Sequence, residues 1–227
     1  PVMSTGEPVM STGEPVMSTG ELVTSTGEHG CATLRAGSEY LLTFNEPDLH
    51  HMPPAAGAVL FRWVETCYPH LKLVAPAVVR DVEWVREMRD AYKHLYGKPP
   101  RFHALGLHCY PLDGHSLVDS CIPRLERLEA YARAWHVPGG IWINEWAALT
   151  DAPDWREQQA ALLLRFEADP LVTRHAWYTA RERGDEVWAN GRSQLLDCDT
   201  RRLREPGIRY RNFRLHQSFL PIIYHHT

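Results

Sequence analysis

Short apolar runs alternate with longer amphipathic segments along the chain from Tyr40 onward. The apolar runs have the length of buried strands, which predicts strands over residues 40–44, 71–75, 102–107, 141–143 and 175–178. Between them lie segments with apolar residues at helical spacing, which predict helices over residues 53–66, 81–96, 119–135 and 154–168. Strands that alternate with helices in this way indicate βαβ units and a parallel sheet.

Local sequence signals mark where two of these helices begin and end. Pro53 opens the first helix, where a missing backbone N–H costs nothing. Asp81 stands where its carboxylate caps the second helix, and Gly97 stands where that helix ends. Glycine suits this end because it adopts the left-handed conformation without steric cost.

The first 28 residues form a tandem repeat of a different character. The heptapeptide PVMSTGE occurs at residues 1–7, 8–14 and 15–21, and a decayed copy occupies residues 22–28. Each exact copy carries helix-breaking residues and too little apolar surface to offset the entropy cost of ordering. We therefore expect a disordered low-complexity segment over residues 1–28 and a folded domain over residues 29–227. A spacer, a surface repeat, or a product of repetitive DNA are the alternatives for the repeat.

Composition narrows the class of protein. The chain has 227 residues, of which 44% are hydrophobic and 23% are charged, which suits a globular domain with its own core. The net charge of −4 gives no attraction to nucleic acid or to an anionic membrane. No apolar stretch approaches the roughly 20 residues of a membrane helix, and no signal peptide is visible. The expected partner is therefore neither a nucleic acid nor a membrane.

Cysteine and histidine usage gives no sign of a metal site. The five cysteines are odd in number, irregularly spaced and without a CxxC pair. One or two disulfides remain open, but we expect buried free thiols. The adjacent histidine pairs at residues 50–51 and 225–226 do not favour a metal, because neighbours in sequence rarely converge on one ion. We predict no metal and no cofactor.

Polar side chains follow several of the predicted strands. Glu46 follows the first strand, His108 and Tyr110 follow the third, and Glu145 follows the fourth. In a parallel barrel the carboxyl ends of the strands open on one face, which carries the active site. A strand buried on both sides has no structural need for a carboxylate at its end, so Glu46 and Glu145 are the main catalytic candidates. The alternatives are a helix-start role for Glu46 and core roles for His108 and Tyr110.

Two carboxylates on opposite sides of a sugar are what glycoside hydrolysis requires. One carboxylic acid protonates the leaving oxygen, and the other carboxylate attacks the anomeric carbon before water displaces it. Aromatic residues near the strand ends are candidates to stack on sugar rings. Trp146 and Trp177 are of this kind, although either could instead fill the core.

An ordered set of motifs resembles glycoside hydrolase family 128, a clan A family of glycosyl hydrolase catalytic cores. The motifs are Phe44-Asn45-Glu46-Pro47-Asp48, Met52-Pro53, Trp84, His108-Cys109-Tyr110, Ile141-Trp142-Ile143-Asn144-Glu145-Trp146, Leu195-Leu196-Asp197 and Pro206-Gly207-Ile208-Arg209-Tyr210. Asn-Glu-Pro alone is a weak motif, whereas the ordered set is much more specific. Asn144 departs from the Thr or Ser that this family usually has before its second glutamate.

The resemblance implies a retaining enzyme acting on β-1,3-glucan, secreted or in the cell wall. It implies that Glu46 is the acid/base and Glu145 the nucleophile. It further implies a substrate-binding set with Asn45 on the sugar 2-hydroxyl, Tyr110 orienting Glu145 and Trp177 under the reacting sugar, together with His108 and Trp146.

The same resemblance implies an α/β fold, a partial TIM (β/α)8 barrel. The first predicted strand corresponds to strand 4, so the chain is expected to supply strands 4 to 8 with their helices, preceded by the disordered repeat. The first three βα units have no counterpart in residues 1–39.

Three functions therefore remain open. The first is a β-glucan hydrolase, and the second is an inactive truncated homologue that at most binds glucan. The third is a repeat-bearing surface or interaction protein in which the partial barrel is only a scaffold. Hydrolysis of laminarin separates the first two, and binding to insoluble glucan separates the last two.

Overall fold

The computed structural model describes residues 31, 34, 37–180, 193–197 and 199–217. Its strands are β1 (Tyr40–Leu42), β2 (Lys72–Val78), β3 (Phe102–Cys109), β4 (Ile141–Trp146) and β5 (Val172–Trp177). Its helices are α1 (Pro54–Cys67), α2 (Glu83–Tyr96), α3 (Leu117–Ala134), α4 (Trp155–Ala168) and α5 (Glu205–Gln217). The strands form one parallel sheet in chain order, with β1 and β5 at its two ends.

The helix boundaries follow the local signals, with small shifts at the starts of α2 and α3. α1 begins with Pro in its first turn, and Gly97 ends α2 in the left-handed conformation with φ 71°. The Asp81 carboxylate accepts a hydrogen bond from the backbone N–H of Glu83, although the N-cap position belongs to Val82. α3 begins two residues earlier than expected because Ser116 caps it, accepting from the backbone N–H of Asp119.

The helix α5 was not predicted as a helix. Pro206 and Gly207 occupy its first turn and give the sequence the look of a turn. Proline is nevertheless tolerated in a first helical turn, where its missing N–H has no partner to lose. Gln159 of α4 holds this end of α5 by donating to the Pro206 carbonyl oxygen at 3.2 Å.

The sheet packs its outer face against the helices and curls around its inner face. The outer core includes large side chains that are fully buried, such as Phe61, Leu105 and Ile143. The inner face carries a separate small cluster of Val74, Ala104 and Trp142, with Tyr40 and Leu42 packed against it.

The contacts of Arg174 show how strongly the sheet is curved. The guanidinium carbon of Arg174 on β5 lies 4.2 Å from the ring centroid of Trp142 on β4. The same carbon lies 4.6 Å from the ring centroid of Tyr40 on β1. The two end strands therefore face each other across the inner face, as in a partial TIM-like barrel. The α/β class and the parallel strand order are confirmed, whereas the repeat at residues 1–28 lies outside the described residues.

The expectation of free thiols is wrong, because four cysteines are paired. Cys31 bonds Cys67 at the end of α1, and Cys109 at the end of β3 bonds Cys121 in α3. The sequence offered no spacing pattern for either pair, because each joins elements that meet only in the fold. Within the described residues, no helix is long and apolar enough to cross a membrane.

Candidate active site

Glu46 lies just beyond β1 in a strained backbone conformation. Its φ is +49°, the left-handed region that non-glycine residues rarely adopt and that costs about 1–3 kcal/mol. Its backbone N–H donates to the Ala77 carbonyl oxygen at 2.9 Å, and Asn45 bridges to Ala77. The chain therefore leaves β1 while still attached to β2, and the turn aims the Glu46 side chain over the strand ends.

Asp48 holds this turn in place. Its carboxylate accepts hydrogen bonds from three successive backbone N–H groups of the loop after β2. The donors are Val79 at 3.1 Å, Arg80 at 2.6 Å and Asp81 at 2.8 Å. Hydrogen bonds to an ionised carboxylate are stronger than neutral ones. The sequence placed Asp48 in the first motif but gave it no role, because its partners lie more than thirty residues away.

A β-bulge places Glu145 on the inner face. In the register with β3, Ile143 pairs with Leu107 and the next pair joins Glu145 to His108, so Asn144 is the extra residue. Strict alternation would put Glu145 on the same side as Ile143, which faces the helices. The bulge reverses the alternation, so Glu145 turns toward the inner face and the next residue turns toward the helices.

Two residues at the end of β3 contact the carboxylates, His108 contacting both and Tyr110 contacting Glu145. His108 Nδ1 lies 2.8 Å from Glu46 Oε1 and 3.5 Å from Glu145 Oε2. The Tyr110 hydroxyl donates to Glu145 Oε2 at 2.6 Å. The glutamate side chains are 16% and 14% exposed, whereas His108 is 1% exposed. The predicted residues Glu46, His108, Tyr110 and Glu145 therefore form one hydrogen-bonded cluster open to solvent on the carboxylate side.

Burial fixes the protonation state of the tyrosine. Desolvation, followed by the negative charge of Glu145, raises the pKa of Tyr110 far above its ordinary value. The phenol therefore stays protonated at every pH at which the protein works, and it remains a donor to Glu145.

The predicted tryptophans lie in the interior. Trp146 is fully buried and packs its ring 4.6 Å, centroid to centroid, from Trp177. The expectation that Trp146 contacts substrate does not match this position, and the bulge before Glu145 is the reason. Trp177 is 8% exposed, and its Nε1 donates to the Ser193 carbonyl oxygen at 2.5 Å. Both rings line the layer behind the cluster.

Two other residues complete the surroundings. Asn45, predicted to bind substrate, is exposed beside Glu46. Tyr178, which the sequence analysis left without a role, is half-buried and lies edge-on to Tyr110 with ring centroids 6.3 Å apart. Its position directly after Trp177 at a strand end was the available signal for it.

The same cluster contains the residues that could hold a metal ion. Glu46, His108 and Glu145 each offer one ligand atom, and these atoms lie within 4.8 Å of one another. The prediction that the cluster binds no metal stays a prediction.

Comparisons with known proteins agree on one family. The family described as glycosyl hydrolase catalytic core matches residues 14–210. A family 128 (subgroup II) endo-β-1,3-glucanase from Pseudomonas viridiflava is similar in structure, with 28% identity, a TM-score of 0.60, and coverage of 76% of this chain and 68% of its own. A second subgroup II endo-β-1,3-glucanase, from Sorangium cellulosum, has 25% identity, a TM-score of 0.56, and coverage of 77% and 70%.

A third solved structure supports the fold alone. The curdlan-specific exo-β-1,3-glucanase of subgroup III from Blastomyces gilchristii has 21% identity, a TM-score of 0.60, and coverage of 77% of this chain and 70% of its own. No curated protein sequence matches the chain.

Proposed function

This chain belongs to the glycosyl hydrolase catalytic core family, and we propose that it hydrolyses β-1,3-glucan by a retaining two-step mechanism. The resemblance to glycoside hydrolase family 128 is confirmed by the family match and by the similar structures. The two subgroup II structures are both endo-β-1,3-glucanases, and their activity supports the choice of substrate. The observation that carries the mechanism is the approach of both Glu46 and Glu145 to His108, with Tyr110 bonded to Glu145.

The spacing of the two carboxylates supports retention of configuration. A carboxylate oxygen of Glu46 and one of Glu145 lie within 4.8 Å of each other. Retaining enzymes hold their carboxyl groups about 5–5.5 Å apart, whereas inverting enzymes need about 6.5–9.5 Å to admit a water molecule. A pair of oxygens this close fits the spacing of a retaining enzyme, in which one carboxylate attacks the anomeric carbon directly.

The hydrogen-bond partners support the division of roles. An acid/base must be protonated in the first step and ionised in the second. His108 suits such a group because a neutral imidazole nitrogen either donates or accepts, depending on the tautomer. Tyr110 suits a nucleophile because its hydroxyl, which stays protonated, donates a hydrogen bond to the carboxylate oxygen of Glu145. We therefore assign Glu46 as acid/base and Glu145 as nucleophile.

The reaction then runs in two displacements. Glu145 attacks the anomeric carbon while Glu46 gives its proton to the leaving glycosidic oxygen, which forms a glycosyl ester on Glu145 and releases the leaving glucan chain. Glu46, now ionised, takes a proton from water, and the resulting hydroxyl attacks the anomeric carbon. The Glu145 carboxylate leaves, and Glu46 is protonated again for the next cycle.

Substrate contacts are proposed from exposure at the strand ends. Asn45 is exposed beside Glu46, which suits a hydrogen bond to the sugar 2-hydroxyl. Tyr178 offers part of its ring next to Tyr110, which suits stacking on the reacting sugar. Trp177 lies behind the cluster and is 8% exposed, and we retain its proposed place under the sugar through the exposed part of its ring. Trp146 is not retained as a substrate contact, because its ring is fully buried.

We infer that β1 to β5 correspond to strands 4 to 8 of a TIM barrel. The support is the order of the two carboxylates, one after the first strand and one at the end of the fourth, on a continuous parallel sheet. Active sites of such barrels lie at the carboxyl ends of the strands, where this cluster lies.

A second candidate function is binding of glucan without hydrolysis. A homologue that binds glucan without cleaving it would share every contact of the cluster. Turnover of laminarin, measured beside binding to insoluble glucan, distinguishes a hydrolase from a binding protein.

The decisive experiment follows the configuration of the first product. Purified protein is incubated with laminarin, and proton NMR records the anomeric signals of the new reducing ends before they equilibrate. We expect the β anomer first, together with loss of turnover in Glu145→Gln. An α anomer first would refute retention, and equal rates in the wild-type protein and in Glu145→Gln would refute the nucleophile.

A further inference from the structure

A buried arginine lies directly behind the carboxylate cluster. Arg124, on α3, is 8% exposed, and its guanidinium donates to three backbone carbonyl oxygens. The acceptors are Ser120 at 2.6 Å, Tyr110 at 3.1 Å and His108 at 3.3 Å. Two of these carbonyls belong to the residues whose side chains bind the two glutamates.

A disulfide joins the same two elements at the same place. Cys109, between His108 and Tyr110, bonds Cys121, which lies on α3 one turn before Arg124. Cys109 and Cys121 are fully buried. Three consecutive residues at the end of β3 are therefore attached to α3, two by hydrogen bonds from Arg124 and one by a covalent bond.

We propose that Arg124 is a positioning residue for the reaction, which sets the orientation of His108 and Tyr110 by holding their carbonyl groups against α3. The inference rests on the proposed function of the cluster. Without Arg124, the residues on either side of Cys109 would be attached to α3 through the disulfide alone and could twist about it. Two bonds from one rigid, planar guanidinium prevent that twist, and they fix how far each side chain reaches toward its glutamate.

The cost of burying Arg124 supports a specific role. Burial lowers the pKa of Arg124 to about 10, and the nearby negative charge of Asp48 offsets part of this effect. The side chain is still charged at neutral pH, so the fold keeps a cation in its interior. Well-packed apolar side chains often match or exceed the stability that a buried charge gives. The buried guanidinium of Arg124 is therefore better explained by the orientation that it gives to His108 and Tyr110 than by a contribution to stability.

Two substitutions and one control test the role in turnover. Arg124→Met removes both carbonyl contacts, and Arg124→Lys keeps the charge without the fork. Arg127→Met removes an exposed arginine of the same helix that pairs with Glu83. We expect kcat on laminarin to fall about 100-fold in Arg124→Met, to recover in part in Arg124→Lys, and to stay at the wild-type value in Arg127→Met. Binding of laminarin oligosaccharides, measured by titration calorimetry in the Glu145→Gln background so that the sugar is not cleaved, should change less than about 2-fold, because Arg124 acts on the site through backbone carbonyl oxygens.

A measurement that needs no turnover separates this proposal from the proposed function. Nitrogen-15 histidine NMR reports the His108 ring, assigned through His108→Gln, and the ring of His175, which bonds Glu167 away from the cluster, serves as internal reference. We expect the His108 signals to move in Arg124→Met while those of His175 keep their positions. An unmoved His108 signal would overturn the proposal even if the protein lacks activity. Equal movement of both histidines, or loss of kcat and of binding together, would mean a merely structural role and would also overturn it.

Discussion

Removing one hydroxyl from the cluster gives the sharpest test of the proposed roles. Tyr110→Phe deletes the hydroxyl that donates to Glu145 Oε2 at 2.6 Å and keeps the ring. The ring is 4% exposed, so its packing should hold it in the same position. In the second displacement Glu145 leaves the sugar and regains its negative charge. The Tyr110 hydroxyl stabilises that charge, so its loss should slow the second step most.

The size of the effect follows from the strength of such a bond. A hydrogen bond to a charged group contributes about 1.5–3 kcal/mol, and about 1.4 kcal/mol corresponds to a tenfold change in rate. We therefore expect kcat on laminarin to fall about 10- to 150-fold. The glycosyl ester should accumulate, so KM should fall with kcat, and kcat/KM should change less than kcat.

The chain offers a matched control for this substitution. Tyr92 is also buried, and its hydroxyl also donates to a glutamate, Glu65, but between α1 and α2 and away from the cluster. Tyr92→Phe should leave the kinetics unchanged and lower the free energy of unfolding by about 1–3 kcal/mol, measured by chemical denaturation. If Tyr110→Phe retained wild-type kcat while folding normally, the assignment of Glu145 as nucleophile would lose its support. If both variants lost activity equally, the effect would come from the fold rather than from the site.

Three further predictions follow from single contacts. Azide should restore turnover to Glu145→Ala and give an α-glycosyl azide, detectable by mass spectrometry and NMR, because a small anion can occupy the vacated nucleophile position; no azide adduct would argue against that position. Cys67→Ser breaks a disulfide with a sequence separation of 36 and should lower the free energy of unfolding by about 4 kcal/mol. Cys121→Ser breaks one with a sequence separation of 12 and should lower the free energy of unfolding by about 3 kcal/mol, but with a larger loss of kcat, because this disulfide attaches the end of β3 to α3. A larger loss of kcat in Cys67→Ser would count against a role for that attachment. Asp48→Asn replaces the acceptor of three backbone N–H groups, so it should cost about 1–3 kcal/mol in urea denaturation and lower kcat, and an unchanged kcat would show that the turn after β1 holds without it.

The strand positions could be predicted from sequence, but their lengths could not. The apolar run of β4 stops at Ile143, whereas the backbone keeps pairing to Trp146. β2 continues through Pro76, which the register tolerates because the ladder is irregular between Val74 and Ala77. β5 begins at Val172, before the predicted run, because it lies at one end of the sheet and its polar residues face solvent. Each difference arises where pairing rather than hydrophobicity decides the strand end.

The catalytic candidates could be predicted from the sequence, but the residues that surround them could not. A carboxylate at the end of a buried strand is visible in the sequence, so Glu46 and Glu145 needed no structure. The bulge at Asn144 decides which face of the sheet Trp146 lies on. A one-residue change of register of this kind cannot be recognised from the sequence. The contacts of Arg124 join a helix to carbonyl groups, and backbone acceptors carry no sequence signature at all.

The two glutamates are held to very different degrees, and the difference follows from strand order. Glu145 belongs to β4, which pairs on both sides, and its partner Tyr110 is attached to α3 through Arg124. Glu46 follows β1, which has three residues and, within the described sheet, pairs with β2 on one side. Strand pairing alone cannot hold a strained residue at such an end, because local opening there costs little. The three backbone bonds to Asp48 and the His108 contact must supply the rest, so the proposed acid/base depends on its loop while the proposed nucleophile depends on the sheet.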